Sequence, residues 1–372
     1  MRIGLVCPYS LTIPGGVQGQ VLGLARSLRS VGHEVRVLGP CDGPPPDPGV
    51  TPLGRSVPTA ANGSVAPLAP DPSAQLRTIR ALRDEGFDVV HLHEPIAPGP
   101  TMTTLLFASA PMVGTFHAAG QSAAYRLLGR GLGRMARRLR HRCAVSPDAE
   151  ALAKGYLGGD YELLFNGIEV ERFASGPVHP ADAPTIFFLG RHEPRKGLDV
   201  LLAAMGDLPA DVRLWVGGDG PQTEELVARH GHDRRIEWLG RISDAERAAR
   251  MRGCTVYCSP SVRGESFGMV LLEAMASGCA LVASDLDGHR NVATDGVDAL
   301  LAPVGDAAAL AKALRRVMDD EALRAELVAG GLRRADQLSM ARLAGRYVEI
   351  YEAVAAGRAP RVTGPGIEER TS

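Results

Sequence analysis

Two rounds of one alternation run through this chain, and they leave little choice of architecture. Short apolar runs of strand length alternate with amphipathic stretches of helical length. The first round has IGLVCP (3–8), a helix expected from about Gln20 to Ser30, EVRVLGP (34–40), VVHLHEP (89–95), PMVGTFH (111–117) and CAVSP (143–147). A stretch rich in Pro, Ala and Asp, Gly176 to Pro184, interrupts with linker composition. The second round has TIFFLGR (185–191), a helix from about Leu198 to Met205, VRLWVGG (212–218), RIEWLGR (235–241), TVYCSPS (255–261), a helix from Gly268 to Ser277 and ALVASD (280–285). Strands separated by helical crossovers pair in parallel. The expected fold is α/β, with two doubly wound Rossmann-like domains facing a cleft, and ligands at the C-terminal ends of both sheets.

The boundaries expected from this pattern are 1–172 for the first domain and 184–342 for the second. A C-terminal helix (343–357) crosses back to the first, and 358–372 is a flexible tail of disorder-like composition. A length of 372 residues gives each domain enough chain to bury its own core. The formal net charge of −1 argues against a general nucleic-acid binder, which needs a basic excess to neutralise phosphates. The apolar start is too short for a signal peptide, and no run is long enough to span a membrane. The six scattered cysteines are then expected as buried thiols in a cytoplasmic protein.

The stretch GESFGMVLLEAMASG (264–278) carries the strongest chemical signal. Glu265 falls in the loop before a helix that begins near Gly268, and Glu273 inside it. Free backbone N–H groups at such a helix start suit a diphosphate, with one carboxylate placed for sugar hydroxyls and one for ribose. The bland alternative is a capped helix with an exposed Glu. The second signal is FFLGRHEPRKG (187–197), where Arg191, Arg195 and Lys196 leave the end of a buried strand within a tight loop. Arg offers a planar fork and Lys a point charge, so the two can hold different phosphate oxygens. PGGVQGQV (14–21) and VGGDGP (216–221) are Gly-rich turns, but neither is G-x-G-x-x-G, which leaves an oxidoreductase as a weak rival.

Together the E-x7-E stretch, the GRHEPRKG loop, the PGGVQ loop and NGIEVERF (166–173) resemble the GT-B glycosyltransferases of family 4, over about residues 1–355. VCPYS, NGSVA, FDVVHLHEP, FHA, AVSP and SDLDGHR are most similar to the actinobacterial branch that moves mannose from GDP-mannose to the inositol of phosphatidylinositol. The resemblance implies a retaining hexosyltransferase. Its implied catalytic group is His117 against the transferred sugar, Arg191 and Lys196 on the diphosphate and Glu265 on mannose hydroxyls. Glu273 would hold the ribose, the Gly16 N–H the β-phosphate, and Ile242 the nucleobase. Phe267, Gly268, Met269 and Val270 would complete the donor site. Tyr9, Gln18, Asn62 and Ser64 match acceptor positions around the inositol phosphate.

The sequence departs from the relative on the acceptor side. Pro67 stands where a basic residue is expected, and AAGQS (118–122) where the family carries Thr and Lys. Between Arg126 and Arg142 seven arginines interleave with Leu127, Leu128, Leu132, Met135 and Leu139 without an acidic residue. Two explanations stand open: an interfacial helix on an anionic membrane surface, making the protein peripheral on the inner face, or an ordinary helix with a solvated basic face. Asp285-Leu286-Asp287 mimics a metal motif but follows a strand, where Asp285 is better explained as capping or turning the loop, and His91-Leu92-His93-Glu94 has both histidines on one strand face but no identifiable third ligand. No metal ligands are assigned; a Mg2+ ion is expected only as a companion of the nucleotide diphosphate. The alternatives are another family-4 transferase, with a UDP-sugar and a soluble inositol phosphate for example, and a sugar-nucleotide epimerase of the same fold.

Overall fold

The computed structural model describes residues 1–61, 64–118, 132–265 and 267–361. The chain forms two compact units, Met1–Gly167 together with the segment from Met340 onward, and Ile168–Ser339. In the first, β1 (Arg2–Val6), β2 (Glu34–Gly39), β3 (Val50–Pro52), β6 (Val89–His93), β7 (Met112–Phe116), β8 (Leu139–Ala144) and β9 (Glu162–Leu163) form a sheet of order β3-β2-β1-β6-β7-β8-β9. Every pairing is parallel. An antiparallel hairpin, β4 (Val57–Ala61) and β5 (Ser64–Leu68), stands apart from it. In the second unit, β10 (Thr185–Leu189), β11 (Arg213–Gly217), β12 (Ile236–Gly240), β13 (Val256–Ser259), β14 (Ala280–Ser284) and β15 (Leu300–Ala302) order as β12-β11-β10-β13-β14-β15, again all parallel.

Both units are therefore the doubly wound α/β sheets expected. Their strands read as unbroken apolar runs because helices cover both faces. Successive side chains point to opposite faces. Leu5, Val37 and Val113 accordingly enter one core, with the Gly16–Ser30 helix and the C-terminal Met340–Ala355 helix. Their neighbours Val6, Leu38 and Met112 enter another. In each sheet the strand order reverses beside the first strand, between β1 and β6 and between β10 and β13. Such reversals splay the following loops apart and leave a crevice for a ligand.

Three expectations shift. The Gly176–Pro184 stretch is strapped onto the second unit: His179 N donates to the Ala249 carbonyl, Arg252 donates twice to the Pro177 carbonyl, and the His179 ring meets Trp215 edge-on at 5.0 Å. Buried Phe173, on the short Val170–Ala174 helix, anchors the start of this segment. The units consequently divide at Gly167/Ile168 and Ser339/Met340 instead of near 172 and 342, and the final helix starts three residues earlier than expected. The arginine-rich stretch is not one helix through Arg142, because Leu139–Ala144 is a strand and Cys143 and Ala144 are needed in the sheet core. Arg138 donates to the Leu106 and Ala108 carbonyls and Arg142 to the Gly158 carbonyl. Arg126 and Arg130 lie outside the described residues.

The C-terminal helix is tied to the first sheet by charge as well as by its buried tyrosines. Arg346 Nε and Nη2 donate to the two oxygens of Glu162 at 2.7 and 3.1 Å, and His141 Nε2 meets the second oxygen at 2.8 Å. The Glu162 side chain is fully buried. Burial alone would raise its carboxyl, but His141 and Arg346 outweigh that and hold it below the usual carboxylate range. Removing one partner of such a cluster strands a buried charge. Arg346→Met is therefore expected to cost about 3 kcal/mol of unfolding free energy at neutral pH, measured by urea denaturation. A lowered carboxyl stabilises above its unfolded pKa and ceases to as the pH falls through its folded one, so the gap between wild type and variant should close in acid.

Candidate functional site

The loops that follow β10 and β13 are joined across the strand reversal of the second unit. Val262 N donates to the Arg195 carbonyl at 2.9 Å, and Arg195 Nη1 reaches the Gly264 carbonyl. This brings Lys196, in the Pro194–Lys196 turn, to Glu265: Nζ donates to Oε1 at 2.6 Å. Ser261 Oγ donates to the same oxygen at 2.8 Å. Burial would raise the Glu265 carboxyl, yet Lys196 beside it and the Ser261 hydrogen bond keep it below its ordinary value. It is an anion with one oxygen engaged; Oε2 takes no hydrogen bond from the described residues. Arg191 behaves differently: its side chain is 67% exposed at the loop tip, its Nε 3.9 Å from Glu193, which also pairs with Arg195 at 2.6 Å. Lys196 is held against Glu265, whereas Arg191 stands largely in solvent beside Glu193.

The following helix, Met269–Ala276, starts at Gly268 in the left-handed conformation, with no side chain capping it. Elsewhere Asp71, Ser146 and Ser243 cap their helices through side-chain oxygens. An uncapped start leaves N–H groups for an anion. Phe267 and Gly268 are buried here, and Met269 and Val270 half-buried. Glu273, one turn in, pairs with Arg247 Nη1 at 3.2 Å. Burial raises its carboxyl, and Arg247, itself 5.3 Å over the Phe173 ring, opposes the rise. Ile242 is half-buried after β12, and its Cδ1 would stand 3.5 Å from a Cβ on Gly217. The VGGDGP glycines serve packing: a Cβ on Gly218, whose φ is +106°, would stand 2.0 Å from the Gly190 carbonyl oxygen.

Sequence reasoning passed over three residues that complete this site. Ser261 and Arg247 hold Glu265 and Glu273, as described. His289 is fully buried, with Nδ1 donating to the Ser284 carbonyl at 2.8 Å and Nε2 without a partner. Its ring lies against Gly268. The signal for His289 was present in SDLDGHR; only the fold brings it to the helix start. Gly288 beside it has no room for a side chain, since a Cβ would stand 1.9 Å from the Glu265 carbonyl oxygen. Asp285 and Asp287 are both taken up by Arg290, at 2.6 and 3.1 Å.

In the first unit the corresponding loop follows β1. Ser10 N donates to the Pro67 carbonyl and Tyr9 bridges Leu68, which stitches the β4–β5 hairpin to this loop. Gln18, though buried, turns its amide inward to the Ser10 and Ile13 carbonyls and braces the glycine-rich turn. Gly16 opens the Gly16–Ser30 helix, no side chain caps it, and the space its Cβ would fill is empty. Asn62 lies outside the described residues, as do 119–122 of the AAGQS loop, and of Ser64 only the strand position is described.

His117, at the end of β7, is half-buried, its Nε2 3.0 Å from His93 Nδ1. Glu94, at the end of β6, has φ +52°, an uncommon conformation for a non-glycine residue. The turn swings its carboxylate under the next strand end, where it accepts the backbone N–H groups of His117 and Ala118. Burial pushes Glu94 up to about 7, partly opposed by those two donors, and pushes His117 down to about 3. His117 is therefore a neutral imidazole. His91 hydrogen-bonds to Thr115 and Tyr351, and His93 to His117.

Two family models and several known proteins match this chain. Residues 14–172 match the family described as Glycosyltransferase Family 4, and residues 183–320 that described as Glycosyl transferases group 1. A phosphatidyl-myo-inositol mannosyltransferase of Mycolicibacterium smegmatis is 40% identical, over 100% of this chain and 99% of the relative. One from Mycobacterium leprae is 41% identical, over 95% and 97%. Among solved structures, the sucrose-phosphate synthase of Thermosynechococcus elongatus superposes with a TM-score of 0.74 at 22% identity, covering 96% of this chain and 99% of that one. Anabaena HepE in complex with UDP-glucose gives 0.71 at 19% identity, over 95% and 99%.

Two substitutions probe the geometry. Gly288→Ala should displace the Glu265 backbone and lower transferase activity roughly 100-fold with little change in fold, compared by steady-state rates and circular dichroism. Glu94→Gln tests the raised carboxyl. A carboxyl raised by folding stabilises below its unfolded pKa and ceases to as the pH climbs through the folded one. Wild type should lose on the order of 3 kcal/mol between about pH 4.5 and 7, and the variant should not, measured by urea unfolding across that range.

Proposed function

The chain belongs to glycosyltransferase family 4, and from that premise we propose that it moves mannose from GDP-mannose to the inositol of phosphatidylinositol, with retention at the anomeric carbon. The observation that carries this reading is the 40% identity, end to end, with phosphatidyl-myo-inositol mannosyltransferases. The geometry supports the donor half. Lys196 and the exposed Arg191 supply positive charge for a leaving diphosphate, and the uncapped helix start at Gly268 adds N–H donors. Glu265, ionised and with Oε2 open, suits hydroxyls of the transferred sugar, and Glu273, braced by Arg247, the ribose. Ile242 borders the nucleobase. Within the first unit, His117 suits a sugar hydroxyl, the Gly16 N–H an anionic oxygen and Tyr9 the acceptor, while Gln18 braces the glycine-rich turn.

Mechanistically, the acceptor hydroxyl attacks the anomeric carbon on the face the diphosphate leaves. The departing phosphate oxygen takes the acceptor's proton, and the sugar–phosphate bond breaks as the new glycosidic bond forms. Glu265, pinned by Lys196 and Ser261, serves as hydroxyl-binding and electrostatic group, not as nucleophile. A magnesium ion accompanying the diphosphate would rest on phosphate oxygens, since Asp285 and Asp287 are spent on Arg290.

A second reading, a different inositol-phosphate-type acceptor, has one observation in its favour: Pro67 gives its carbonyl to Ser10 and has no charge to offer a phosphate. No described helix is long and apolar enough to cross a membrane, so reaching a lipid acceptor would need peripheral attachment. Thermal shift against GDP, UDP and ADP, then transfer from labelled GDP-mannose to phosphatidylinositol in vesicles, tests the reading. Stabilisation by GDP and a mannolipid product are expected. Stabilisation by UDP alone would overturn the donor, and transfer only to a soluble inositol phosphate would overturn the acceptor. Flotation with anionic but not zwitterionic vesicles is expected if the protein works at a membrane face.

A further inference from the structure

The VVHLH strand places His91 and His93 on one face of the first sheet, two residues apart. His91 has both nitrogens engaged: Nδ1 with the Tyr351 hydroxyl at 2.6 Å and Nε2 with Thr115 Oγ1 at 2.7 Å. Thr115 is held in turn by the Tyr347 hydroxyl at 2.8 Å. The His93 ring lies 4.3 Å from the His91 ring on one side and stacks on His117 at 5.2 Å on the other. It is only 2% exposed. His93 is thus gripped from behind by a polar column that ends on the C-terminal helix, and its Nδ1 is aimed at His117.

Two neutral imidazoles 3.0 Å apart share one proton, and its position decides what His117 offers outward. If His117 Nε2 is the donor, His93 carries its own proton on Nε2. That atom is buried and has no partner among the described residues, so the arrangement would leave an orphaned N–H. The adjoining cavity, lined by Gln20, Thr115, Asn166 and Tyr347 among others, is about 10 Å³, at the lower limit for one water. If His93 Nδ1 is the donor, Nε2 is left only with an unused lone pair. Orphaned buried N–H groups are rarer than under-used acceptors.

We propose that His93 is a positioning residue: it donates from Nδ1 to His117 Nε2, fixes His117 as the Nδ1–H tautomer and so presents a hydrogen-bond donor to a hydroxyl of the transferred sugar. This rests on the reading of His117 as a sugar contact. The His117 Nδ1 has no hydrogen-bond partner among the described residues and is left to a ligand oxygen.

The test is a pair of near-isosteres of opposite polarity. His93→Asn keeps an N–H near the position of Nδ1, whereas His93→Asp only accepts there. In two-bond 1H–15N spectra of the full chain with 15N-labelled histidine, wild type and His93→Asn should show His117 protonated on Nδ1 alone. His93→Asp should place a proton on Nε2. The kcat for mannosyl transfer should stay within about threefold in His93→Asn and fall roughly 10- to 100-fold in His93→Asp. GDP affinity should be unchanged in both, because neither substitution alters a residue assigned to the nucleotide. A wild-type His117 protonated on Nε2, or an Asp variant as active as the Asn one, would overturn the proposal. If wild type transfers no mannose at all, the functional reading fails, and the spectra still decide the tautomer.

Discussion

A parallel sheet covered by helices on both faces has only its strand ends to offer a ligand, and the chemistry of this protein follows from that constraint. Every strand of the two sheets is parallel, so the C-terminal ends of each sheet gather at one edge. At that edge the loops must satisfy their own polar groups while leaving a few unsatisfied on purpose. The loop after β10 does both: its backbone is bonded to the loop after β13, and its side chains Arg191 and Lys196 project from the bonded frame. The contrast between side-chain caps at Asp71, Ser146 and Ser243 and bare glycine starts at Gly15 and Gly268 has the same origin. A side-chain cap satisfies the first N–H groups of a helix from its own chain, and a start without one leaves them to another acceptor.

Buried charge is handled by the same economy in both units. Glu162, Glu265 and Glu273 each sit where burial disfavours the anion, and each is met by a cation from another element: Arg346, Lys196 and Arg247. The first tie is structural and occupies both oxygens. The second occupies one oxygen, which separates an ion pair that closes the fold from one that still has something to bind. Glu94 is the exception, because it meets only two backbone N–H groups and its carboxyl is raised to about 7. Its left-handed backbone shows that the position is imposed by the surrounding loops.

The layered α/β architecture was legible in the sequence because burial on both faces writes itself as unbroken apolar runs. Lys196, Glu265 and Glu273 were legible because they sit at fixed distances from glycine-marked turns. Gly176–Pro184 was misread for a physical reason: its Pro, Ala and Asp composition is that of a linker, and only Arg252 and Trp215, far along the chain, reveal that it is pinned down. The arginine-rich stretch misled in a similar way, since Arg138 and Arg142 neutralise backbone carbonyls instead of forming one helical face. Ser261 and Arg247 carried no local pattern, and the SDLDGHR motif around His289 did not reveal what it packs against. Each acts on a residue in another loop or helix, and such pairings come from the tertiary fold.

Polar residues in the core of the first unit are costly, and their arrangement explains why they are there. Tyr347, Tyr351, Thr115 and His91 would be replaced at little cost by apolar side chains if packing were their only task. They form instead a satisfied chain of hydrogen bonds, and a satisfied buried network specifies one arrangement of its members where an apolar core tolerates several. Among the described residues His93 Nε2, at the step next to His117, is left without a partner. A neutral imidazole can either donate or accept, and on the proposed reading the arrangement at that step would decide which of the two His117 offers a sugar hydroxyl. The C-terminal helix is thus part of the chemistry of the first unit: by clamping Glu162 with Arg346 and His91 with Tyr351, it holds the strands from which His93 and His117 emerge.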